Sequence, residues 1–482
     1  MPDYRPVETR ESRLDSLITF GGTCAELAGG IRERCLKRLD RSFNQTTVCQ
    51  EWYALFSLIT VQNSVSIVHA PVGCASSGST MNIFNRMGQV VRGEARIRNA
   101  RWFASNLTEN DIIHGGEDKL CAAVLSADQR YRPEVIFVFT SCVSGIIGDP
   151  VEEIATRLQP LIEARLVIAP CEGFRSAVWA TGFDAAGHAL LNYVLEPRPE
   201  RDPRLVNVIS PLTVGRLDEI EIERLFGALD LKANFIPHYA SLEGIRRSVS
   251  AVATTATCLT YGDYFARELT ARYGVPHTRE LMPLGVENTD RWLLQVAELT
   301  DRVAATRALI AAERARIEPR LRELRDQLKG KRVYVSAGQA RAMTMSQIAE
   351  ELGFELVGTT VYHYDEVIAD SVRRLAERSG AASLNIAQVQ PFEQANLLRR
   401  LKPDLYMADE MSTGFAARQG IPTVMIYDYG MNYLGYNGLL ATGERMVNAL
   451  KNPSFHVKLA KHRRLPYREA WYESDPFAYV MP

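Results

Sequence analysis

The stretch Val65–Cys74, V-S-I-V-H-A-P-V-G-C, constrains the fold most tightly. Its apolar run (Val65, Ile67, Val68) followed by His69 and a Pro-Gly turn predicts a strand that ends abruptly and delivers a thiol. In parallel α/β sheets, the carboxyl edge of such strands is where chemistry is carried. Two more cysteines stand in comparable places. Cys49 lies in T-T-V-C-Q-E-W, and Cys142 follows the apolar run Val135–Phe139. Taken singly, each would read as a small buried hydrophobe. Three thiols at strand-to-loop edges point instead to a shared metal cluster.

Short apolar runs at Val65–Val68, Val135–Phe139 and Leu166–Ala169 alternate with amphipathic stretches such as Glu117–Ala127 and Val151–Leu158. That alternation predicts an α/β fold with parallel, doubly wound sheets. At 482 residues the chain exceeds a single core. Residues 1–48 read as helical and irregular, with a charged helix around Ile31–Leu39. Pro197–Pro203, P-R-P-E-R-D-P, reads as a linker. A second unit starts at Leu205–Ile209 and continues through Ala233–Ile236 and a helix near Tyr264–Tyr273. A third starts with K-R-V-Y-V-S-A-G and takes in helix Ser346–Gly353 and strands Glu355–Gly358, Leu405–Ala408 and Thr423–Ile426. The expected domains are therefore 1–204, 205–329 and 330–482. The third lacks G-x-G-x-x-G, so NAD binding is not inferred. The dense charge of residues 287–330 reads as a solvated helix face.

A net charge of −1 removes the electrostatic case for nucleic acid. No apolar run is long enough to span a membrane, and the N-terminus lacks a hydrophobic signal region. The expected location is the cytoplasm, where the eight cysteines would stay reduced. None forms a C-x-x-C pair, which disfavours zinc ribbons and ferredoxin-type clusters.

Several ordered motifs then carry a resemblance: H-A-P-V-G-C (His69–Cys74), D-I-I-H-G-G-E-D-K-L (Asp111–Leu120), S-C-V-S-G-I-I-G-D (Ser141–Asp149), C-E-G-F-R (Cys171–Arg175), L-K-G-K-R-V (Leu328–Val333) and D-Y-G-M-N-Y-L-G-Y (Asp428–Tyr436). Together they resemble component 1 of the nitrogenase family, in its α-type subunit. The resemblance implies three Rossmann-like domains, each with a parallel sheet flanked by helices, and an α2β2 heterotetramer with a β-type subunit. It makes Cys49, Cys74 and Cys142 the α-side thiolates of a shared cluster, an 8Fe-7S P-cluster or a 4Fe-4S cluster. Cys258, in T-A-T-C-L-T-Y, matches the lone cysteine ligand of a large Fe8S9C-type iron–sulfur cofactor whose heterometal stays open. Gly338 and Arg341, in S-A-G-Q-A-R, match a G-G-x-R whose arginine faces that cofactor. Electrons would come from an ATP-dependent 4Fe-4S reductase homodimer.

The departures from the family pattern carry the functional reading. Where the family keeps a second, histidine ligand, this chain has T-V-M-I-Y-D-Y, with Met425 or Ile426 near that place. Trp179 and Phe183 match positions that hold a glutamine and a histidine in nitrogenases, and Asn82 replaces an arginine. His363 lies near a family histidine, and reads equally as a replacement for the missing ligand or a proton donor, or as a polar loop residue. His69 reads as orienting the cysteine loop and His277 as a surface residue. A histidine near a reducing centre can supply protons around neutral pH, whereas Trp179 and Phe183 would make that wall bulky and apolar. The resemblance thus points to a nitrogenase-like methylthio-alkane reductase. Such an enzyme cleaves C–S bonds of small thioethers in methionine salvage and does not fix N₂. Trp179, Phe183, His363 and Arg341 are the expected reaction-site residues. Cys258, Gly338, Arg341 and Met425 are expected around the cofactor. The alternative is a scaffold subunit for assembly of a nitrogenase-type cofactor.

Overall fold

The computed structural model describes residues 5–36, 38–43, 48–409 and 412–481. They form two compact units. The first comprises the described residues of Met1–Arg10, Val48–Arg279 and Gln295–Arg302; the second, those of Glu11–Thr47, Glu280–Leu294 and Val303–Pro482.

The first unit holds two parallel sheets. In one, the strand order is Trp102–Ala104, Ser64–His69, Val135–Thr140 and Arg165–Ala169. Ser64–His69 and Val135–Thr140 are buried along their whole length, which explains why they read as unbroken apolar runs. In the other, Asp202–Ser210 lies between Lys232–Pro237 and Ala251–Ala256. The predicted linker is shorter than expected, because Asp202 and Pro203 already belong to a strand.

The second unit is built on a six-stranded sheet. Ser383–Ala387, Glu355–Val361, Arg332–Ala337, Leu405–Ala408 and Thr423–Met425 run parallel, and Thr19–Thr23 adds an antiparallel edge beside Ser383–Ala387. This pairing places residues 11–43 with the third sheet, not with the first domain where the sequence grouped them. A buried ion pair holds them there: the Arg41 guanidinium donates to Glu393 at 2.7 and 3.1 Å and to the Ile386 carbonyl at 2.8 Å. The charged helix expected near Ile31–Leu39 lies upstream, at Cys24–Arg32. Thr23 and Glu26 form a capping box that starts it early. The charged region is two helices, Val286–Thr300 and Val303–Leu328.

Candidate metal centres

Cys49, Cys74 and Cys142 come together in the first unit. Cys49 is the N-cap of the Gln50–Leu58 helix, Cys74 sits in the turn of helix Val72–Ala75 after strand Ser64–His69, and Cys142 opens helix Cys142–Ile147 after the neighbouring strand. Cys49 and Cys142 both act electrostatically on Cys74, and Cys142 acts on Cys49. Gly173 makes room between them. A Cβ there would lie 3.1 Å from Cys49 Cβ and 3.2 Å from Cys142 Sγ.

Burial pushes the Cys49 thiol up and holds Cys74 at about 11, helped by the Glu51 and Cys49 charges. Without cations the Cys49 and Cys74 thiols hold their protons; bound metal would displace them. Among the described residues, no three His, Cys, Asp or Glu side chains close around a single ion. An all-thiol donor set spread over three backbone segments suits a polynuclear iron–sulfur group rather than a mononuclear site. Cys74 is exposed and Cys49 and Cys142 are half-buried, so the set opens to the surface of the unit. Around it stand exposed apolar side chains: Val72, Ile146 and Phe174.

The supporting framework runs between the two strand ends. His69 is fully buried; its Nε2 lies 2.9 Å from Asp149 Oδ2 and its Nδ1 2.8 Å from Ser105 Oγ. Burial lowers its pKa although Asp149 opposes this. The neutral ring therefore donates from Nε2 to Asp149 and accepts at Nδ1 from Ser105. Asp149 also accepts from the Gly116 N–H at 2.8 Å, and Ser141 Oγ donates to the His69 carbonyl at 2.8 Å. A Cβ at Gly116 would strike Asp149 at 2.6 Å, which accounts for a glycine in the H-G-G motif. Cys171 is fully buried and donates to the Thr140 carbonyl, so it ties two strand ends together.

Cys258 forms a second position in the same unit. It is the N-cap of helix Leu259–Tyr273, directly after strand Ala251–Ala256. Gly262 lets that helix press on the sheet, since a Cβ would sit 2.7 Å from Ala256 Cβ. Buried Arg10 fixes the helix start. It donates to Asp184 at 2.9 and 2.7 Å and to the Thr260 carbonyl at 2.5 Å.

Trp179 and Phe183 do not stand alone as a wall. Phe183 lies between Tyr53 (ring centroids 4.6 Å apart) and Tyr261 (4.8 Å), and Trp179 is buried 6.2 Å from Tyr53. The rings join the helix capped by Cys49 to the helix capped by Cys258. His238 extends this cluster, with Nε2 3.0 Å from Tyr261 Oη and Nδ1 2.8 Å from Thr60 Oγ1. Burial, with Arg92 nearby, pushes its pKa down to about 3.

The remaining candidates lie in the second unit. Gly338 is the N-cap of helix Gln339–Glu351. Arg341, on that helix, donates to the Ile426 carbonyl at 2.7 Å and lies over the Tyr427 ring; Met425, one residue before Ile426, is exposed. His363 is buried; its Nε2 lies 3.1 Å from Gln339 Nε2 and 3.3 Å from Asp365 Oδ2. It belongs to a buried polar network rather than an open loop. His277, expected at the surface, is half-buried with Nδ1 2.7 Å from Thr270 Oγ1. Asn82 accepts from the Ala100 N–H at 2.8 Å and so pins the loop before strand Trp102–Ala104. Sequence reasoning missed Glu51, Tyr53, Asp149, His238 and Tyr261. Of these, Glu51 had a signal: it stands two residues after Cys49.

The family model described as nitrogenase component 1 type oxidoreductase matches residues 49–451. The chain is similar to the nitrogenase iron-molybdenum cofactor biosynthesis protein NifE of Nostoc sp. strain PCC 7120, at 27% identity over 83% of this chain and 82% of that protein. It is also similar to the nitrogenase molybdenum-iron protein alpha chain of Methanosarcina barkeri, at 23% identity over 82% and 84%. Among solved structures, "Nitrogenase Cp1 at pH 5" shares its fold, with a TM-score of 0.73 and 20% identity over 90% of this chain and 94% of that one.

Proposed function

Because the chain belongs to the nitrogenase component 1 family, we propose that it is the catalytic α-type subunit of a nitrogenase-like reductase acting on small methylthio-alkanes. One observation carries the reading. Cys49, Cys74 and Cys142 form one coupled thiol set, and a single aromatic cluster links their framework to the helix that Cys258 caps. When bound, the iron–sulfur groups would supply electrons at low potential. Cys49, Cys74 and Cys142 would hold one, shared with a β-type subunit, and Cys258 would hold the other. This chain's own part is to fix the thiols and exclude water.

The open, apolar-rimmed thiol set supports a partner chain that covers it and completes its ligands. Trp179, Phe183 and Tyr261 are apolar or buried rings, and His238 is kept neutral. Such surroundings favour a thioether over a substrate that needs several protons delivered. In the second unit, Gly338, Arg341, His363 and Met425 stay candidates on the family resemblance. A reductase homodimer using ATP would deliver electrons.

A second reading is favoured by the similarity to NifE, a protein named for cofactor biosynthesis. In that reading the Cys258 position holds a cofactor only in transit. Turnover separates the two: a reductase releases methanethiol and a hydrocarbon from a methylthio-alkane while keeping its iron, and a scaffold yields its cofactor to an acceptor protein.

A further inference from the structure

We infer that the Glu51 carboxylate is an oxygen donor to the iron–sulfur group held by Cys49, Cys74 and Cys142. The inference rests on the reading of those three thiols as cluster ligands and adds a fourth donor from the same chain. Glu51 occupies the first turn of the helix that Cys49 caps, and only 5% of it is exposed. Its Oε1 has no hydrogen-bond partner among the described residues. A buried carboxyl oxygen with nothing to bind is costly, and native structures rarely keep one without a reason.

Its position supplies the reason. Glu51 stands two residues from Cys49, in the first turn of the helix that Cys49 caps, and its charge acts on Cys49, Cys74 and Cys171. On the other side, Gln50 Nε2 donates to the Glu172 carbonyl, and the Gly182 helix backbone closes over Gln50. The Cys49 turn is thereby pinned in register, and Glu51 with it. Thiolates repel a neighbouring carboxylate, but iron cations among them would reverse the sign of that interaction. Mixed thiolate and carboxylate ligation also gives one iron a harder donor than the rest, and ligand identity is a direct control on cluster potential.

The test uses the intact complex with its β-type partner, purified anaerobically from ⁵⁷Fe-grown cells, as wild type, E51Q, E51A and C74A. Mössbauer spectra and EPR under controlled potential are recorded for each. The expected result is a distinct iron site in wild type with the higher isomer shift of oxygen ligation. That site is lost in E51A and altered in E51Q, and the midpoint potential moves positive once the negative donor is gone. E51Q keeps the size and shape of the side chain. If E51A fails to assemble, E51Q alone decides. Spectra and potentials of E51Q that superimpose on wild type would overturn the inference while leaving the thiol assignment intact, and would mean the carboxyl merely bonds to the partner chain. Absence of any iron signal that C74A removes would overturn the thiol assignment and the inference with it.

Discussion

His69 Nε2 and Asp149 Oδ2 meet at 2.9 Å, across 80 residues of sequence and with neither side chain exposed by more than 3%. The contact joins the strand that leads to Cys74 to the turn that follows the Cys142 helix. It sets the spacing between two candidate ligands without touching either thiol.

Replacing His69 with alanine should therefore destabilise the chain through its buried partner. Among the described residues, Asp149 would keep only the Gly116 N–H. The expected loss is about 1–3 kcal/mol of unfolding free energy, the usual cost of stranding a buried polar group. Denaturant unfolding of H69A, D149N and the double variant would measure it, with the double variant costing less than the sum of the two. Strict additivity would mean that the contact is not a structural link.

Gly173 should be intolerant of a side chain for a local reason. An alanine methyl would sit 3.1–3.4 Å from Cys49 and Cys142 atoms, so one thiol must move. G173A should lose most of the iron associated with the shared thiols in the purified complex, as measured by metal analysis. G29A is the control. That glycine lies inside helix Cys24–Arg32 with open space where the methyl would go, and the change should stabilise by about 0.5–1 kcal/mol.

The sequence made the strands Val65–Val68 and Val135–Phe139 legible because both are buried on two faces and so are apolar throughout. The Thr19–Thr23 edge was not legible. T-F-G-G-T is short and glycine-rich, and its place depends on a strand 360 or more residues away. The three cysteine positions could be found because each follows or caps a recognisable element. His238 and Tyr261 could not, since nothing local marks residues whose environment is made by rings from Tyr53, Phe56 and Phe183. His363 looked equally like a loop residue, because the Gln339 and Asp365 contacts that bury it come from tertiary packing.

His238 gives the fold a pH dependence with a definite sign. Its pKa in the folded chain is about 3, against an ordinary value near 6.5. Above pH 6.5 both states are neutral and nothing is lost. Between pH 6.5 and 3 the unfolded chain takes up the proton and the folded chain does not. Stability should fall by up to about 1.4 kcal/mol per pH unit from this group. Comparing the unfolding free energy of wild type and H238Q across that range isolates it. The difference between the two should shrink as the pH falls, and a constant difference would show that His238 is not held neutral.

Cys258→Ala should separate the two centres. Cys258 caps its own helix, after a strand of a different sheet from the strands that precede Cys74 and Cys142. The variant complex should keep the iron bound at the shared thiols and lose the remainder, by metal analysis and by loss of the corresponding EPR signals. Loss of both together would contradict independent positions.

The most direct test is turnover. The chain is purified anaerobically with its β-type partner and supplied with the reductase homodimer, ATP and ethyl methyl sulfide. Methanethiol and ethane are expected over many cycles, with iron content unchanged and no ammonia formed from N₂. Absence of thioether cleavage, together with transfer of the iron–sulfur cofactor to an acceptor protein, would contradict the reductase reading.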